Sequence, residues 1–327
     1  MAEDTTSPSY WLNVTFLLCA IIILLPIFLA GFLVWKYEGF NVLRGENRQS
    51  NAGFLHKDEP WRTCLKGIRP AWLLGYRVFA FAVLFSLITT NIVLNGGGIF
   101  FFYTQWTFAL VTVYFALGST FSICGCFLYR GQTSGDRANN QNLNSEHGTY
   151  APLSLKEKVD VHDVHEASNN EEKSADSESA GFWSYIFQIV YQTAGGAVIL
   201  TDSVFWLVLY PFVVSSDYRL NFMDVCLHSL NAVFLLGDAL LNDMRFPIFR
   251  FAYFILWTCI YVVFQWIIHA CISLWWPYPF LDLKTPYAPL WYLGVALWHV
   301  PCYGIFTLVV RLKRLWLSRS FPGSYRS

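Results

Sequence analysis

Ionisable and amide side chains recur at helical spacing inside stretches of sequence that are otherwise apolar. Between Met223 and Asn242, the residues Asp224, His228, Asn231, Asp238 and Asn242 are separated by three, four or seven positions. At roughly 100° per residue they fall on one stripe of a helix. Gln188, Gln192 and Asp202 repeat the pattern in the preceding apolar run, and Thr258, Gln265 and His269 in the following one. Thr104 and Gln105 stand at the start of an earlier run, and His299 near the middle of the last. A carboxylate one turn from an imidazole orients the ring and raises its basicity, so Asp224 and His228 form a candidate acid–base pair. Asp202, Asn231, Gln265, His269 and His299 are candidate binding residues around it, because an ionisable group in hydrocarbon is costly unless paired or facing a wet cavity. Two further chemistries compete with acid–base work: interhelical hydrogen bonding that only holds helices together, and a proton or ion pathway along facing acids. The histidines are single on their helices, with no HxxH within a run, so neither a metal nor any other cofactor is expected.

These residues need a membrane bundle to position them. Of 327 residues 55% are hydrophobic and 13% charged, more apolar surface than one soluble core of this length hides. The formal net charge is zero, which removes the electrostatic case for nucleic acid. The eight cysteines lie mostly inside apolar stretches, without zinc spacing and without the look of a disulfide framework. Cys124 and Cys126 close an apolar run just before Arg130, where a thiol is either a site for acylation or, as a small apolar residue, part of the helix packing.

Apolar runs near Trp11–Val34, Trp72–Leu94, Phe100–Leu128, Phe187–Val213, Met223–Leu241, Phe251–Leu274 and Leu290–Val310 are each long enough to cross about 30 Å of hydrocarbon. The expected fold is therefore all-α, a polytopic membrane bundle of about seven transmembrane helices. The first run follows Glu3 and Asp4 rather than a basic segment, so it reads as a span and not a cleaved signal. Lysine and arginine concentrate on one side of such a bundle, at Lys36 to Arg69, Arg130 and Arg137, Arg245 and Arg250, and Arg311 to Arg319; the alternate segments hold Arg219 and Lys284. The positive-inside rule then puts the N-terminus outside or in a lumen and the C-terminus in the cytosol. In that orientation Thr104, His228 and His269 lie in the outer half and Asp202 and His299 nearer the middle, as a shared polar cavity opening outward requires.

The chain divides into residues 1–35 with the first helix, a basic cytosolic loop 36–71, helices two and three over 72–130, an acidic loop 131–180, helices four to seven over 181–312, and a basic tail 313–327. Loop 36–71 carries Trp61 among its cations and suits anionic headgroups. Loop 131–180 has few large apolar residues and should be disordered, with Ser174, Ser177 and Ser179 as phosphorylation candidates and its acidic surface open to protein partners. The protein is expected in a plasma or endomembrane, among membrane lipids.

Three short motifs carry a resemblance. Phe101-Phe102-Tyr103-Thr104-Gln105-Trp106-Thr107, Leu227-His228-Ser229-Leu230-Asn231 and Tyr278-Pro279-Phe280-Leu281-Asp282 resemble segments of rolling-stone-like membrane proteins. Those proteins are distantly similar to the androgen-induced-gene and androgen-dependent TFPI-regulating proteins. The resemblance covers roughly Trp72 to Leu312 apart from the acidic loop. The androgen-induced branch implies an intramembrane threonine hydrolase of fatty-acid esters, with Thr104 as nucleophile and His228 as its base; the rolling-stone branch implies a membrane organiser without established chemistry. The extra first span and the long acidic insertion depart from the enzyme branch. A Thr hydroxyl becomes nucleophilic when a neighbouring base takes its proton, and Asp224 would hold the imidazole tautomer as the third member of a triad does. A lipid-ester hydrolase, a non-enzymatic organiser or adaptor, and a transporter or channel are the three functions in play. The transporter requires a broken helix or a polar path that the sequence does not display.

Overall fold

The computed structural model describes residues 4–39, 56, 58–146, 181–213, 219–285 and 287–326. Among them are seven helical spans long and apolar enough to cross a membrane, and the chain is a multi-pass, all-α membrane protein. The helices are α1 (Val14–Val34), α2 (Pro70–Asn95), α3 (Tyr103–Glu146), α4 (Phe182–Val204), α5 (Phe222–Leu227), α6 (Leu230–Leu241), α7 (Phe251–Cys271) and α8 (Ala288–Ser320). Local chemistry sets several starts. Asn13 caps α1 by accepting the Phe16 N–H at 2.8 Å, Pro70 occupies the first turn of α2 where no N–H is needed, and Asn221 and Asp224 form a capping box on α5.

α4 is the central helix, packed against α3, α6, α7 and α8. Every residue from Tyr191 to Val198 is buried. Gly195 and Gly196 make this possible: a Cβ there would come within 2.8 Å of the Phe306 ring and 2.5 Å of the Phe254 ring. Without side chains at these two positions, α8 and α7 lay aromatic faces directly on the α4 backbone, the close approach that small residues permit in membranes. α1 lies at the periphery against α7 and α8, with large apolar side chains such as Leu25, Phe28 and Leu29 exposed, as lipid-facing residues are.

Four expectations need correction. The fifth span is not one helix: it breaks at His228 and Ser229, whose backbones leave the helical region (φ −110°, ψ 18° and φ −148°, ψ −40°), so the polar stripe is split between α5 and α6. α3 continues to Glu146 and thus makes the first part of loop 131–180 helical; the remainder of that loop, with its serines, lies outside the described residues. α8 likewise runs to Ser320, through the first half of the expected tail. The chain beyond it folds back, with Leu65 and Tyr325 in an isolated bridge and Thr63 bridged to Asn242. Residues 58–69 thereby pack onto the bundle end; Trp61 lies against Gly125 instead of reaching out to headgroups. This end, rich in arginine and lysine, is the basic end below.

Candidate functional site

Most of the polar stripe residues are bound into structure. Arg77 on α2 and Asp238 on α6 are both fully buried and paired, Nε to Oδ1 at 2.7 Å. Arg77 also donates to the Pro60 carbonyl at 2.6 Å and to Ser122 at 2.9 Å, while Asp238 accepts from Tyr114 and, at 2.8 Å, from Asn242. Every nitrogen of the guanidinium and both oxygens of the carboxylate thus have a partner, which is what offsets the desolvation of two charges. Asp238 takes Arg77, Asp243 takes Arg62 at 2.7 Å, and Arg245 lies 3.2 Å from Glu59. A second buried cation, Arg250, binds Gln188 and Glu38, so the α4 glutamines are also engaged. Burial holds the Glu59 carboxyl above its ordinary range against the opposing pull of Arg245 and Arg62.

At the opposite end His269 is likewise engaged: Nδ1 lies 2.8 Å from the Gln265 carbonyl and the ring stacks on Trp276 at 3.8 Å. Gln265 donates to the Phe101 carbonyl at 2.9 Å. Both belong to the packing of α7 against the loops around it.

Thr104, His228 and Asp224 do not come together as a hydrogen-bonded triad. The Thr104 hydroxyl faces the Tyr278 hydroxyl at 3.4 Å. Burial raises the Tyr278 phenol above its ordinary value, which keeps it a donor. His228 stacks on Phe205 at 3.6 Å, with its Nδ1 buried and unpartnered. The Asp224 carboxylate accepts the Asn221 N–H at 3.2 Å in the capping box. Asn231 donates to Asp202 at 3.3 Å, and the second Asp202 oxygen is buried without a partner. His228 and Asp202 therefore flank the helix break from two elements and retain unused polar atoms.

A different threonine meets a different histidine. Thr258 on α7 lies with Oγ1 2.9 Å from Nε2 of His299 on α8. His299 Nδ1 is 2.7 Å from the Val295 carbonyl. A carbonyl can only accept, so Nδ1 carries the proton and Nε2 presents its lone pair to the Thr258 hydroxyl. Tyr103 from α3 completes the chain, its hydroxyl 2.8 Å from Thr258 Oγ1. Phe254 packs on the imidazole at 4.6 Å and fixes its plane.

Two narrow apolar clefts meet at this threonine. One runs toward α1, between Ile22, Pro26, Trp291 and Tyr292, and reaches His299. The other runs toward α3 and α4, between Thr104, Leu200, Val204 and Tyr278. Thr258, Val262, Phe280, Leu281 and Val295 line both. Thr104 is thus a wall of the second cleft, and His228 lines neither. The sequence offered Thr258 and His299 as polar residues in their spans, but no spacing rule pairs residues on separate helices. Arg77 was legible as a lone cation inside an apolar run and was overlooked as a site residue.

Among the described residues no cluster of three or more histidine, cysteine or acidic side chains has the arrangement of a metal site. No protein-family model matches the chain, and no curated protein or solved structure matches it either.

Proposed function

We propose that this protein is an intramembrane hydrolase of lipid esters, with Thr258 as nucleophile and His299 as general base, oriented with its basic end in the cytosol. The observation that carries the reading is the 2.9 Å contact between Thr258 Oγ1 and His299 Nε2 where two apolar clefts join. An ester whose acyl chain lies in one cleft and whose alcohol part lies in the other brings its carbonyl to Thr258. His299 takes the hydroxyl proton as Oγ1 attacks, and the Val295 carbonyl steadies the imidazolium through Nδ1–H, the orienting role a carboxylate has in a triad. Tyr103 is the nearest hydroxyl donor for the developing oxyanion. His299 returns the proton to the leaving alcohol; water then attacks the acyl-threonine, releasing the fatty acid and regenerating the hydroxyl.

The test is labelling of the purified protein by a fluorophosphonate probe, alongside hydrolysis of long-chain esters in nanodiscs. Thr258→Ala and His299→Ala should lose about 100-fold or more of both activities, the scale of a general base, while His228→Ala keeps them. Labelling unchanged in Thr258→Ala contradicts the assignment. A second reading, an organiser without chemistry, is favoured by the extent to which Arg77, Asp238, Gln188 and His269 are used up in packing. A well-folded wild type that neither labels nor hydrolyses supports it.

A further inference from the structure

At the basic end the cations of the bundle are mostly engaged: Arg62 by Asp243, Arg245 by Glu59, Arg250 by Glu38, and Lys313 by the carbonyls of Ala239 and Asn242. Arg311 on α8 is exposed and has no hydrogen bond or ion pair among the described residues. It stands at the end of an open groove between α7 and α8 whose walls include Phe251, Val300, Gly304, Thr307 and Leu308. The α8 members recur at three and four residues, so they form one continuous stripe. From Val300 to Arg311 the stripe rises about 16 Å at 1.5 Å per residue. That is about half of a 30 Å hydrocarbon core, the depth of one leaflet.

Gly304 lies in this stripe, and a Cβ there would meet nothing within 4 Å. Val300 and Leu308 stand 60% and 54% exposed beside it. An apolar channel one leaflet deep, ending in an unengaged guanidinium, has the polarity of a phospholipid, with a chain along Val300 to Leu308 and a phosphate at Arg311. Guanidinium matches phosphate through parallel N–H···O bonds. No carboxylate lines the groove, so the ammonium of a zwitterionic headgroup would find no partner there. We propose that this groove is a binding site for one anionic glycerophospholipid of the leaflet that faces the basic end.

The experiment uses the full chain in an uncharged detergent, titrated with phosphatidylglycerol or phosphatidylcholine and read by native mass spectrometry and by the shift in Tm. Phosphatidylglycerol should bind as a single saturable adduct and raise Tm, with phosphatidylcholine roughly fivefold weaker, the factor that one interfacial arginine contributes. Arg311→Gln should bring phosphatidylglycerol down to the phosphatidylcholine level, and Arg319→Gln, an exposed cation off the groove, should leave the preference intact. Gly304→Leu fills the channel while keeping Arg311 and should weaken both lipids; its lipid-free Tm confirms that the bundle is intact. Equal binding of the two lipids by the wild type, or phosphatidylglycerol binding unchanged in Arg311→Gln, overturns the proposal.

Discussion

The Arg77–Asp238 pair and the Thr258–His299 pair are both polar contacts between neighbouring helices in an apolar bundle, yet they differ in what surrounds them. Around Arg77 and Asp238 every polar atom is matched, by Pro60, Ser122, Tyr114 and Asn242, and the chain closes over them. Around Thr258 and His299 the hydrogen bonds run from Tyr103 through Thr258 and His299 to the Val295 carbonyl, with the Phe254 carbonyl a more distant acceptor at 3.4 Å from Thr258, and two clefts open on them. A saturated network in low dielectric holds one geometry; a directional chain beside space can pass a proton and receive a ligand. Intramembrane polarity alone therefore does not mark a site; polarity next to room for a substrate does.

The largest effect is expected at the saturated pair. Asp238→Ala leaves a buried guanidinium unmatched and should cost about 3–5 kcal/mol in thermal or denaturant unfolding. Replacing both members, Arg77→Met with Asp238→Leu, should recover much of that loss, because the penalty lies in the orphaned charge. A double variant no better than the single one would mean that the network fixes the packing itself.

Next come the α4 glycines, which separate the two regions. Gly195→Ala pushes on Phe306 and Gly196→Ala on Phe254, each an overpacking that costs about 1–3 kcal/mol. Phe254 also packs on His299. Gly196→Ala should therefore lower probe labelling beyond its stability loss, whereas Gly195→Ala lowers stability alone. Equal labelling in the two variants would dissolve that distinction.

Thr258→Val should change stability by only about 0.6–1.7 kcal/mol, the range for an interhelical hydrogen bond in a membrane, while abolishing the reactivity. A loss as large as that of Asp238→Ala would place Thr258 with the structural pair.

The smallest effect concerns pH. Glu59 is fully buried, and burial raises its carboxyl above the ordinary range in the folded state. The folded protein then holds this proton to higher pH than the unfolded chain does, so the contribution is full at low pH and is lost as pH rises through the raised value. Glu59→Gln should flatten the stability profile across that interval; an unchanged slope would assign the pH dependence elsewhere.

The seven spans were legible because hydrophobic length and loop charge are local properties of the chain. The polar stripes were legible too, as periodicity: Asp238 and Asn242 do share a face. The break at His228–Ser229 was not, because the apolar pattern runs through it and neither residue is a strong helix breaker. Nor was the exchange of partners that sets His299 against Thr258 and leaves Thr104 with Tyr278. Those pairings depend on α4 packing at the centre, which in turn depends on two glycines admitting Phe254 and Phe306. Helix neighbours are a property of side-chain fit and not of spacing.

The most direct measurement is the site of covalent attachment. After fluorophosphonate labelling of the wild-type protein, peptide mass spectrometry should place the adduct on Thr258 and find it absent in His299→Ala. An adduct on Thr104 that survives His299→Ala would contradict the account and return the chemistry to the cleft wall facing Tyr278.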